Sequence, residues 1–149
     1  MILSQKHQYA VRAVFELAKR EGTGPVKAAK ISAAQEIPVR FLENILGELR
    51  QAGIVESVRG KEGGYLLGKP SGGLTVGEVL RMLQGPGVAA EHAESAAPYQ
   101  SPLHAGSVLI PLWEKAHQAM MDVYDGTTFK DLVELELAAY ESKAPNYAI

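Results

Sequence analysis

A mainly α-helical domain carrying one small β-hairpin, continued by a long helix, is the fold class that the sequence predicts, and three observations carry it. Apolar residues recur at intervals of three and four in three successive segments ahead of Gly53. An alternating run, a glycine-rich basic turn and a second apolar run follow directly, as "GIVESV", "RGKEGG" and "YLLG". Beyond a stretch rich in Ala, Pro, Ser and Gly, the three-and-four spacing returns from Ser107 to Asp125.

The first helix is expected from its cap, Ser4, to Arg20, with Val11, Val14, Phe15 and Ala18 on one stripe beside Ala10, Ala13 and Leu17. Two glycines and a proline in "EGTGP" end it. A short second helix lies within "VKAAKISAAQ" and turns Val26, Ala28 or Ala29, and Ile31 inward. Pro38 suits the first position of the third helix because its φ is preset. That helix buries Leu42, Ile45, Leu46 and Leu49, leaves Arg40, Glu43, Asn44 and Gly47 on its other side, and stops at Gly53. Three helices followed by a hairpin is the order of a winged helix-turn-helix. In such a domain the third helix can enter a major groove about 12 Å wide, while the hairpin reaches phosphates or the minor groove. Glycines let the turn approach a backbone closely, and Arg59 and Lys61 at its tip can neutralise phosphates. A plain hairpin with no further role is the alternative.

Composition narrows the function classes. A chain of 149 residues holds one main domain. No run approaches the ~18 uncharged apolar residues of a membrane span. Lys6, His7 and Arg12 interrupt the start where a signal peptide needs an apolar core, so a cytoplasmic protein with no membrane partner is expected. Cysteine is absent, which excludes disulfides, thiolate zinc sites, thiolate-held iron–sulfur clusters and cysteine nucleophiles. The net charge of −2 hides an asymmetry: residues 1–70 hold eleven Lys and Arg against seven Asp and Glu, and residues 71–149 hold four against ten. A front half at +4 suits a polyanion, and a back half at −6 suits a surface kept off it. "RGKEGG" lacks the spacing of a phosphate-binding loop, and no GxSxG, HExxH or Ser–His–Asp arrangement stands out. No enzyme and no cofactor are expected.

Four groups of residues together resemble the Rrf2 family of bacterial transcription regulators: Leu3, Ser4, Tyr9 and Ala10; Phe41, Leu42 and Glu43 with Leu46 and Leu49; Ala52 to Val55; and the hairpin residues Ser57, Arg59, Gly60, Gly63, Gly64 and Tyr65. The match is dense up to Gly85 and looser beyond it, apart from Leu112 and Trp113. The resemblance implies a homodimer of winged helices on a dyad-symmetric site in double-stranded DNA. On that model Pro38, Arg40, Glu43 and Asn44 lie on or beside the recognition face, with Glu43 accepting from a cytosine amino group. Arg59, Gly60 and Lys61 enter a minor groove narrowed by A·T steps. Ser4, Lys6, Tyr9 and Arg12 hold phosphates. Each has a plainer reading: Glu43 as a solvent-facing residue, Tyr9 as half core, Arg12 as a partner of Glu16. Many members of the family resemble iron–sulfur sensors with three cysteines before the long helix. Here Ser107 takes the place of the last cysteine and Ile110 that of a further ligand, so regulation by something other than a thiolate cluster is implied.

The expected organisation is a winged domain over residues 1–84, a loop over 85–106 and a dimerising region over 107–149. In the loop, Glu91, His92, Glu94 and His104, with His117 beyond, are ligand types without metal-site spacing, and His92 and His104 are weak metal candidates. The loop from Val88 to Gly106, with Trp113 and His117, is the expected place for a small-molecule or protein effector. A short helix in "LTVGEVLRMLQG" opens with Thr75 and Glu78 at capping-box spacing and turns Val76, Val79, Leu80 and Leu83 inward. The long helix carries Leu109, Leu112, Trp113, Ala116, Ala119, Met120 and Val123 as its dimer stripe, with Pro111 in its first turn. A last helix starts at Thr127 or Thr128, with Asp131 completing a capping box, and is expected to close over the partner through Phe129, Leu132 and Val133. The predicted function is a sequence-specific DNA-binding repressor acting as a homodimer. The alternatives are a winged helix used for protein docking, and a metal sensor with His and Glu ligands.

Overall fold

Caps and buried stripes decide where the helices form. The structure, a computed structural model, describes residues 3–83 and 106–143. Helix α1, Gln5–Lys19, begins where the Ser4 side chain accepts the His7 amide at 3.3 Å, and it buries Ala10, Ala13, Val14, Leu17 and Ala18. Helix α2, Ala28–Gln35, buries Ile31 and ends at Glu36, whose left-handed φ of 53° turns the chain. The Ser32 hydroxyl donates to the Ile37 carbonyl across that turn, and Ile37 drops into the core. Helix α3, Val39–Gln51, buries Leu42, Ile45, Leu46 and Leu49 and ends before Gly53, at φ 76°. Pro38 is the residue before α3 rather than its first member. Its ψ of 130° is extended, so its fixed φ orients the entry instead of starting the helix.

Strands β1, Val55–Val58, and β2, Gly64–Leu67, form the antiparallel hairpin, in register from Val55 opposite Leu67 to Val58 opposite Gly64. The first is shorter than the expected strand, which ran back to Gly53, and the second begins one residue earlier than the expected Tyr65 and ends at Leu67. Val26, just ahead of α2, adds a third rung: its amide donates to the Tyr65 carbonyl at 2.9 Å and its carbonyl accepts the Tyr65 amide at 2.8 Å. The chains approach so closely there that a Cβ on Gly64 would lie 2.5 Å from the Val26 carbonyl.

A 3₁₀ turn, Ser71–Gly73, is held by Glu21, whose carboxylate accepts the Ser71 amide at 2.8 Å and hydroxyl at 3.1 Å. Helix α4, described over 76–83, buries Val76, Val79 and Leu80. Its capping box is formed: the Thr75 amide donates to Glu78 at 2.9 Å and the Glu78 amide to the Thr75 hydroxyl at 3.2 Å. Helix α5, Gly106–Asp125, contains Pro111 well inside it rather than in its first turn, which deprives the preceding turn of one amide donor. Helix α6, Phe129–Lys143, opens with the second capping box, between Thr128 and Asp131.

Helix α6 corrects one expectation. Phe129 is fully buried in the core of its own chain, with Leu132 and Val133 packed against that core, so these three residues close over their own winged domain. Main-chain bonds fasten it there: the Val76 amide donates to the Thr127 carbonyl and the Phe129 amide to the Leu74 carbonyl, both at 3.0 Å.

One charged side chain lies inside this packing. Glu16 is 2 % exposed and accepts from Arg20 Nε and Gln35 Nε2, each at 2.8 Å, while Lys19 stands 3.6 Å away and reaches Glu136 of α6 at 3.1 Å. Burial alone would push the Glu16 carboxyl up, but the Gln35 and Arg20 hydrogen bonds and the Lys19 and Arg20 charges outweigh it and hold the group below its ordinary value. Its stabilising contribution is therefore full above the usual glutamate range and is lost as pH falls through the lower, folded-state value. Glu16→Ala is expected to destabilise by about 2 kcal/mol in urea unfolding at neutral pH, because Gln35 and Arg20 lose their acceptor, and to narrow that gap in acid. Gly64→Ala is expected to lower the urea midpoint by a comparable amount, since no Cβ fits against Val26.

Candidate nucleic-acid interface

Helix α3 presents its polar side outward because the opposite stripe is committed to the core. Arg40, Glu43 and Asn44 are all exposed on it. Val39 and Phe41, 44 % and 57 % exposed, stand beside them, which is unusual exposure for large apolar side chains. Phe41 meets the Tyr9 ring edge-on at 6.4 Å between centroids.

The hairpin tip carries Arg59, Gly60 and Lys61, all exposed, and Gly60 takes φ 112°. The Gly63 amide donates to the Gly60 carbonyl at 3.0 Å and closes the turn, where a Cβ on Gly63 would overlap the Val58 carbonyl. Among the described residues, no carboxylate forms an ion pair with Arg59, Lys61 or Arg40. Their positive charge is thus available to an incoming anion. Arg50 of α3 donates to the Ser57 hydroxyl of β1 at 3.3 Å and ties helix to hairpin.

The residues assigned to the start of α1 divide. Ser4 caps the helix, so its hydroxyl serves the fold first. Lys6 pairs with Glu48 of α3 at 2.8 Å, both being well exposed. Tyr9 is half-buried against the core and accepts from Gln5 at 2.8 Å, as its half-core reading has it. Arg12 does not pair with Glu16: its guanidinium donates to the Gln35 carbonyl at the end of α2 and lies 5.7 Å from the Tyr9 ring centre. The Glu16 carboxylate instead accepts from Arg20 and Gln35.

Two basic residues escaped the sequence reading. Lys27, the residue before α2, and Lys30 within it are exposed. Lys27 directly follows the Val26 rung and so sits beside Gly64, at the turn end of the hairpin. Their spacing in "VKAAK" was the available signal; only the Val26–Tyr65 bridge gives it a position.

Leu109, Leu112, Trp113, Ala116 and Val123 of α5 are exposed and Met120 is half-exposed. Leu112 and Trp113 are 58 % and 53 % exposed. The inward side chain is Met121, which the stripe omitted, with Tyr124 packed on the core one turn later. The candidate ligands Glu91, His92, Glu94 and His104, and the loop before Gly106, lie outside the described residues. His117 is half-buried on α5, and among the described residues no group of three or more His, Asp or Glu is arranged to hold a metal. No described helix is long and apolar enough to cross a membrane.

This architecture has close counterparts. Residues 3–135 match the Rrf2 family, described as an iron-dependent transcriptional regulator. The chain is 34% identical over 132 residues to the HTH-type transcriptional regulator CymR of Bacillus subtilis (strain 168), 89% of each chain being covered. It is 49% identical over 80 residues to the HTH-type transcriptional regulator IscR of Enterobacter sp. (strain 638), spanning 54% of this chain and 49% of that one. Among solved structures, IscR of T. potens superposes with a TM-score of 0.76 at 31% identity, covering 96% of this chain and 91% of that one. CymR of B. subtilis, the global cysteine regulator, gives 0.73 at 31% identity, covering 91% and 98%. The iron in the family's description finds no thiolate here: with no cysteine in the chain, the donor set does not fit a thiolate-held cluster. By its match over most of its length, and with a helical body carrying a winged hairpin like those of its relatives, the chain belongs to the Rrf2 family of transcriptional regulators.

Proposed function

We propose that the protein is a homodimeric, sequence-specific DNA-binding repressor, regulated by something other than a thiolate iron–sulfur cluster. The observation that carries the reading is the joining of two exposed elements in one body. The polar side of α3 and the unpaired cations at the hairpin tip are held together through the Val26–Tyr65 rung and the Arg50–Ser57 bond.

On this reading α3 enters the major groove, where Arg40 and Asn44 reach base edges and Glu43 accepts from a cytosine amino group. Val39 and Phe41 then meet thymine methyl groups, which accounts for their exposure. Arg59 lies in the minor groove with Lys61 on the adjoining phosphates, and Lys6, Lys27 and Lys30 add backbone contacts. Lys6 exchanges Glu48 for a phosphate at little cost, since an exposed pair contributes at most about 1 kcal/mol. Tyr9 and Arg12 support this face from behind rather than touching the duplex.

Dimerisation is supported by the outer face of α5. Leu109, Leu112, Trp113, Ala116, Met120 and Val123 form an apolar stripe that a symmetric copy would cover. Two copies present two winged domains to half-sites on one face of the duplex, and occupancy of a promoter then blocks transcription. A second reading, docking of a protein on Val39, Phe41 and the half-exposed Val58, is favoured by that apolar cluster alone.

Salt separates the two. With duplexes selected from genomic fragments, affinity is expected to fall steeply as salt rises, and Arg59→Ala to weaken binding about tenfold while reducing the salt slope by about one ion. Salt-independent binding, or an Arg59→Ala variant indistinguishable from wild type, would favour protein docking. In sedimentation velocity, Leu112→Glu is expected to convert a dimer into a monomer and to abolish the gain in affinity from a second half-site; a variant that remains dimeric removes the α5 interface from the reading.

A further inference from the structure

We infer that Arg81 and Asp125 act as a positioning clamp that sets the angle between the long helix and the winged domain, and thereby selects the spacing between half-sites. The inference rests on the homodimeric DNA-binding reading above and goes beyond it, because it names what determines which spacing is accepted.

The geometry is that of a helix held at one end. Of the side chains described along α5, over 108–125, only Met121 is buried, and it lies near the C-terminal corner. Among the described residues, the main-chain bonds that fasten this end of α5 to the winged domain are gathered at that corner. The Val76 amide donates to the Thr127 carbonyl, the Phe129 amide to the Leu74 carbonyl, and Thr75 and Thr128 form a β-bridge. These main-chain bonds fix where the corner sits. They act almost at a point, so they leave the tilt of α5 about that point to side chains.

Arg81 of α4 supplies that control. Its two terminal nitrogens meet the two carboxylate oxygens of Asp125, the last residue of α5, with Nη1 to Oδ1 at 2.6 Å and Nη2 to Oδ2 closing the fork. A two-pronged pair constrains direction as well as distance, which a single ammonium contact does not. Gly77 completes the seat. A Cβ there would overlap Asp125 Oδ1 and lie 2.9 Å from its Cγ, so the carboxylate rests directly on the α4 backbone. The pair is largely solvent-exposed and adds little to stability, yet small local control suffices because the helix is a lever. Twenty residues make α5 about 30 Å long, and a tilt of about 10° moves its far end by about 5 Å. A base-pair step rises about 3.4 Å, so a loosened corner lets each winged domain shift by more than one step relative to the paired helices.

The test measures spacing preference in the full-length protein. Half-sites taken from selected genomic fragments are placed on duplexes whose central spacers differ by single base pairs, and affinities are compared for wild type, Arg81→Met and Arg81→Lys. Wild type is expected to prefer one spacing. Arg81→Met keeps the aliphatic stem but loses the fork, and should flatten that preference by roughly fivefold while leaving the thermal midpoint, the dimer and the affinity for an isolated half-site nearly unchanged. Arg81→Lys, which restores charge without the fork, should fall between the two. A folded, dimeric Arg81→Met with the wild-type spacing profile overturns the clamp and leaves the DNA-binding reading intact, as does a uniform loss of affinity at every spacing. Wild-type protein that is monomeric, or that shows no salt-dependent duplex binding, overturns both.

Discussion

Two hydrogen bonds between Val26 and Tyr65 hold the functional half of the molecule together. A two-stranded hairpin of this length is marginal in water by itself. The rung from Val26 gives β2 a neighbour on its second side, and it is donated by the segment that leads straight into α2. Hairpin and helix-turn-helix therefore share one piece of backbone, and the exposed groups of α3 and of the turn keep a constant separation. Gly64 is the permission for this contact. Its missing side chain lets β2 and the Val26 carbonyl approach within a distance that any Cβ would prevent.

Most basic residues of the front half fall into two populations that a charge count cannot separate. Arg12, Arg20 and Lys19 are turned into the structure, onto the Gln35 carbonyl, Glu16 and Glu136. Arg40, Arg59, Lys61, Lys27 and Lys30 are exposed and have no ion-pair partner among the described residues. Arg20 and Lys19 of this set serve one buried carboxylate, Glu16, whose hydrogen bonds and neighbouring charges outweigh the cost of its burial. The second set, with the exposed Arg50, supplies the unpaired positive charge of this surface. The +4 surplus of residues 1–70 thus understates how unevenly the charge is displayed.

Helix α6 shows how a regulator of this size unites its two ends. Burial of Phe129 beside Leu74 and Leu80 removes apolar surface from water, which contributes far more than the Lys19–Glu136 contact at its rim. The chain returns to the winged domain at the start of α6, and among the described side chains of α5 only Met121 is buried. A helix in that situation presents its apolar stripe outward by necessity.

Periodicity and caps made most of this legible without coordinates. The stripes Leu42–Ile45–Leu46–Leu49 and Val76–Val79–Leu80, the two capping boxes at Thr75 and Thr128, and the glycine-rich turn were all readable, because each depends on residues a few positions apart. The exposed face of α3 follows from the same stripe by exclusion. What depended on residues distant in sequence was not readable. Arg12 donates to the Gln35 carbonyl rather than pairing with Glu16, Phe129 faces its own core rather than a partner, and Met121, which lies off the predicted stripe, turns inward. Local spacing determined which residues share a helical face, and tertiary packing alone decided what that face meets, because direction toward a distant neighbour is set by how the helices are stacked and not by the order of side chains along any one of them.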